Sequence, residues 1–63
     1  MHKTIVIISW ICEEIKEQTT INGGREFEYY ESIATDGISA FSEKHSIPKH
    51  YVNVEILVKY IRN

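Results

Sequence analysis

From Thr4 to Cys12 the chain is an almost unbroken apolar run of strand length, dense in β-branched residues. Ile5, Ile7, Ser9 and Ile11 fall on one side of such a strand, and Val6, Ile8, Trp10 and Cys12 on the other. Both sets are largely apolar, the mark of a strand covered on two faces. The last segment alternates more cleanly. Over 51–61, Val52, Val54, Ile56, Val58 and Tyr60 interleave with Asn53, Glu55, Leu57 and Lys59, which predicts a half-buried strand with its apolar side inward.

Between these strands the pattern is mixed. Glu13 to Ile21 combines charge with Thr19, Thr20 and Ile21, and Asn22-Gly23-Gly24 supplies residues that tolerate positive φ. Arg25 to Ile33 then alternates, with Phe27, Tyr29 and Ile33 on one side and Glu26, Glu28, Tyr30 and Ser32 on the other. The pattern predicts a β-hairpin turning at 22–24. Thr35 or Asp36 caps a short helix of about 36 to 46, in which Ile38, Phe41 and His45 recur at helical spacing. Pro48 ends it by biasing Ile47 away from helical torsions.

The resulting order is β-β-β-α-β, an α+β fold with a small antiparallel-rich sheet of three to four strands and one helix. A single helix shields only one face of a sheet. The other face of the first strand, together with Tyr51, Leu57 and Ile61, therefore requires cover from a hairpin folding back, a second copy, or a different protein.

Length sharpens that requirement. The 63 residues make one domain, 1–63. Surface scaling gives roughly 6,500 Å² removed from water on folding, about 60% of it apolar, or about 95–100 kcal/mol of burial. Ordering about 1.5 kcal/mol per residue nearly cancels it. Cys12 is the only cysteine, so no internal disulfide helps, and one unpaired thiol fits a reducing compartment. Inside an apolar strand, Cys12 reads as a small hydrophobe rather than a nucleophile. The apolar N-terminal run is broken by Ser9, closed by Glu13-Glu14, and too short to span a bilayer. These features predict a soluble protein of the cytoplasm.

Charge is distributed unevenly. Between Glu13 and Glu31 six carboxylates (Glu13, Glu14, Glu17, Glu26, Glu28, Glu31) face two cations, Lys16 and Arg25. After residue 43, Lys44, Lys49, Lys59 and Arg62 face Glu55 alone. An acidic segment carrying Phe27, Tyr29 and Tyr30 reads as a surface for a basic protein partner, through electrostatic steering and aromatic contact area. Its bland alternative is a solvated face. Trp10 is either a contact residue or a core tryptophan with its N–H paired. Tyr29 and Tyr30, as neighbours on a strand, point to opposite faces, one core and one exposed.

Other chemistry finds little support in the spacing. His45 and His50 straddle Pro48 and His2 is terminal, with no third ligand for a metal and no phosphate cradle for acid–base work. Ser39, Ser42 and Ser46 have no nucleophile elbow around them. No cofactor is implied, and an enzyme is the last reading. The net charge of −2 argues against general nucleic-acid binding.

The opening Lys3-Thr4-Ile5-Val6-Ile7-Ile8-Ser9-Trp10 resembles the start of the Dmd family of small antitoxins of T-even-type phages, which begin with an apolar strand running through a small residue into a tryptophan. The resemblance implies a non-catalytic protein of the host bacterial cytoplasm that binds and silences messenger-RNA endonuclease toxins of the RnlA/LsoA kind by direct contact. On that reading Trp10, Phe27, Tyr29 and Tyr30 provide contact area, and Glu26, Glu28 and Glu31 complement cations on the toxin. Two rivals stay open. One is a small nucleic-acid-binding regulator using Lys44, Lys49, Lys59 and Arg62; the other is a homodimeric structural subunit joined through the uncovered face.

Overall fold

The computed structural model describes residues 2–62, apart from the side chain of His2. It contains β1 (His2–Cys12), β2 (Ile15–Asn22), α1 (Phe27–His45), a single 3-10 turn (Lys49–Tyr51) and β3 (Asn53–Arg62). The strands form one three-stranded sheet in the order β2-β1-β3. Both outer strands run antiparallel to β1 and hence parallel to each other. The chain passes from one edge to the other by laying α1 across one face. This is the small α+β fold with an antiparallel sheet and one helix that the pattern predicts.

Two local expectations are corrected. The hairpin turns at Glu13-Glu14, where Cys12 opposes Ile15 and Glu13 takes a positive φ of 53°, not at Asn22-Gly23-Gly24. The stretch 25–33, expected as a strand, forms the first half of the helix, which starts at Phe27 rather than near residue 36. The same residues satisfy a helical period: Tyr30, Ala34 and Phe41 line one stripe and are all buried, with Ile33 and Ile38 packed beside them. Thr35 and Asp36 are therefore exposed mid-helix residues, and Glu26 occupies the N-cap position. The helix stops after His45, with Ser46 left-handed at φ 56° and its N–H bonded to the Ser42 carbonyl.

The core lies between α1 and one face of β1. Val6, Ile8 and Trp10 are buried there with Tyr30, Ala34, Phe41 and Val52. Opposite them on β3 stand Val58, Ile56 and Val54. Val54 and Ile56 are half-buried, as the alternation predicts, but Val58 and Tyr60 further along the same face are exposed.

The other face of β1 has no helix over it. Its Ile5, Ile7 and Ile11 are half-buried and only the small Ser9 is buried, between Gln18 on β2 and Glu55 on β3. The accessible surface, 4804 Å², is about 600 Å² more than scaling gives for a compact chain of this mass. The molecule is elongated, with extents of 42 × 23 × 14 Å.

Candidate protein-binding surface

The acidic aromatic segment gathers at the start of α1. Glu26, Phe27, Glu28, Tyr29 and Glu31 are all exposed, Phe27 at 59% and Tyr29 at 43%. At 100° per residue, Phe27 and Glu31 share one flank of the helix, Tyr29 and Ile33 the other, and Glu28 points outward between them. Carboxylates here complement the positive end of the helix dipole, an effect of about 0.3–1 kcal/mol each at an exposed site. Glu26 makes no side-chain capping bond, so its carboxylate is left to solvent or a partner.

The two remaining candidates are placed in the interior. Trp10 is 8% exposed, and its Nε1–H donates to the Ala34 carbonyl at 2.9 Å, so it is the core tryptophan of the two alternatives. Tyr30 is 5% exposed. Its hydroxyl accepts from the Arg25 N–H at 3.0 Å and donates to the Asn22 carbonyl at 3.1 Å. Neither ring offers surface to a partner in this fold. The physical reason is the helix: α1 covers the Trp10 side of β1 and turns Tyr30 into its own apolar stripe.

Buried Tyr30 nonetheless organises its exposed neighbour. The rings of Tyr29 and Tyr30 meet edge-on with centroids 5.4 Å apart. The Arg25 guanidinium lies over the Tyr29 ring, 4.3 Å from its centroid, a cation–π contact. Tyr29 thus contacts both a core aromatic and a cation. The Arg25 charge also makes this flank less acidic than the Phe27–Glu31 flank.

At the opposite end of α1 a second polar cluster ties the helix to β2. Glu17 Oε2 accepts from Lys44 Nζ at 3.0 Å and lies 2.7 Å from His45 Nε2. Hydrogen bonds first from His45 and then from Lys44 hold the Glu17 carboxyl below its usual range. The His45 ring also packs on Phe41, with centroids 4.6 Å apart. Sequence reasoning missed this cluster, since residues 28 positions apart carry no spacing signal. Beside it Cys12, half-buried, lines a shallow apolar depression of about 500 Å³ with Ile15, Ile47 and Tyr51.

The basic residues of the last third are dispersed. Lys44 is engaged by Glu17, Lys49 sits in the 3-10 turn, and Lys59 and Arg62 occupy opposite faces of β3 by parity. His50 packs on Tyr51, with centroids 4.4 Å apart. Among the described residues no group of three or more His, Cys, Asp or Glu is arranged to hold a metal ion, and no helix is long and apolar enough to cross a membrane. Comparison with protein-family models, curated proteins and solved structures finds no match to this chain.

Proposed function

We propose that this chain is a small protein-interaction module that engages a basic partner through the exposed start of α1. The observation that carries the reading is Phe27, an exposed aromatic with Glu26, Glu28 and Glu31 around it, all open to solvent. An aromatic ring surrounded by anions suits a partner surface of lysines and arginines. The charges speed encounter and set orientation, while the ring supplies desolvated contact area. Tyr29, pre-positioned against Tyr30, adds a second anchor at low entropic cost.

Within that class, the resemblance of residues 3–10 to the Dmd antitoxins makes a messenger-RNA endonuclease toxin of the RnlA/LsoA kind the partner to test first. A ribonuclease must present cations to its RNA, and an acidic module seated on them would block that groove. Inhibition would then be a matter of occupancy, with no bond made or broken by this chain.

Co-expression with such a toxin in bacteria, scored by growth and by co-purification, tests the reading. The intact chain is expected to rescue growth, and a Phe27→Ala/Glu28→Lys/Glu31→Lys variant to lose rescue while keeping its far-ultraviolet circular dichroism. Absence of rescue by the intact chain, or full rescue by the triple variant, would count against it.

A further inference from the structure

We propose that two copies of this chain join through the outer edge of β3, antiparallel about a two-fold axis at Leu57, to form one continuous six-stranded sheet. β3 is an edge strand, hydrogen-bonded on one side to β1 alone. Its outer N–H and C=O groups form an open template for another strand. Two of the usual protections are missing: β3 contains no proline, and its register with β1 runs without a bulge from Asn53 opposite Ile11 to Arg62 opposite His2. Leu57 on the open face and Val58 on the helix face are 54% and 64% exposed, so apolar surface is presented on both sides of the same edge.

Charge decides what fits. Strands related by a two-fold axis normal to their sheet can oppose only residues of the same face, which limits the axis to individual residue positions. With the axis at Leu57, Leu57 meets Leu57 of the second copy. Glu55 then stands opposite Lys59 of that copy, and Lys59 opposite its Glu55. An axis at Ile56 or Val58 sets both charges against uncharged residues. One at Glu55 or Lys59 sets a charge against its own like. Only the Leu57 register sets Glu55 and Lys59, two of the three charged side chains on this strand, against opposite charges; Arg62, at the strand's end, falls opposite Val52. Neither Glu55 nor Lys59 makes an ion pair within the described residues of one copy.

The same register accounts for the helix face. Val58 would pack on the second copy's Ile56. The two copies of β1 would lie about 14 Å apart, three strand spacings. That leaves the two helices side by side on one face, with a narrow floor between them built from Ile56 and Val58 of both chains. Val58, 64% exposed in one copy, is the apolar surface that such a floor would cover. This assembly uses none of the surface at the start of α1, so it and the toxin-binding reading succeed or fail separately.

Sedimentation or light scattering over a range of concentrations tests it on the purified full chain. A mass of twice 7.4 kDa is expected. Glu55→Lys, which sets lysine against lysine, is expected to weaken the dimer by roughly tenfold or more, and Lys59→Glu likewise. The double exchange Glu55→Lys/Lys59→Glu restores the opposed charges and should recover the affinity. Leu57→Lys, an exposed position that leaves the core intact, should give a folded monomer by circular dichroism. A wild-type chain that stays monomeric up to its solubility limit overturns the proposal and leaves the edge to a strand of another protein. A dimer indifferent to Glu55→Lys, or not recovered by the double exchange, overturns this register.

Discussion

The indole of Trp10 lies against the backbone of Gly37: a Cβ built there would come 2.0 Å from Cζ2 and 2.1 Å from Cε2. The helix therefore carries a glycine at the point where β1 presses its largest side chain into it. Gly37→Ala would ordinarily stabilise a helix interior by about 1 kcal/mol. Here it is expected to destabilise, by about 2–3 kcal/mol net, because the indole is also pinned by its bond to Ala34 and cannot step aside cheaply. Urea denaturation of the two proteins measures this, and an alanine variant as stable as the parent would contradict the contact.

Glu17 makes stability depend on pH. Its carboxyl is held below the ordinary glutamate value of 4.5 by His45 and Lys44, so the ionised form favours the folded chain. That contribution is complete above the unfolded value and is lost as pH falls through the lowered native one. Glu17→Gln is expected to lower the urea midpoint near neutral pH and to converge with the parent in acid below the native pKa. A constant offset between the two proteins over that window would argue against the pairing.

Two backbone positions carry removable strain. Glu13 in the hairpin turn and Ser46 after α1 have φ of 53° and 56°, a region that costs a side-chain-bearing residue about 1–2 kcal/mol. Glycine avoids that cost and gives back about 0.5–1 kcal/mol in unfolded-state entropy. Glu13→Gly and Ser46→Gly are each expected to raise stability by a few tenths to about 1 kcal/mol. The sites lie on separate connections, so thermal melts of the double variant should show nearly additive gains.

These contacts explain why parts of the fold were legible in the sequence and others were not. β1 announces itself because β-branched residues fill successive positions, and β3 because Val54, Ile56 and Val58 recur at every second one. The first half of α1 does not: Phe27, Tyr29 and Ile33 alternate while Tyr30, Ala34 and Phe41 follow a helical period, and only packing on β1 selects the second. Gly37 falls inside the helix expected from about residue 36, and nothing nearby marks why a glycine stands there, because the reason is Trp10, 27 positions earlier. The candidate surface was legible as composition, five exposed residues at the start of α1, while the inward turn of Trp10 and Tyr30 depended on where the helix falls. Glu17 and His45 meet only through the tertiary fold.

Tyr30→Phe probes how the interior supports that surface. The Tyr30 hydroxyl bridges the Asn22 carbonyl and the Arg25 N–H, closing the connection between β2 and α1. Phenylalanine keeps the ring and its edge-on contact with Tyr29 but removes both bonds, at a cost of about 1–2 kcal/mol. Because Arg25 is the cation stacked on Tyr29, releasing its backbone should also free its guanidinium from the ring. The expected signature is local: hydrogen exchange at the Arg25 amide accelerates well beyond what the global loss of stability requires, while the β1 amides change only with that global loss. If the start of α1 is a binding surface, the same substitution should weaken partner binding by slackening Tyr29, even though Tyr30 itself never touches the partner. Unchanged exchange at Arg25 would show that the turn is held by other means and that Tyr30 contributes packing alone.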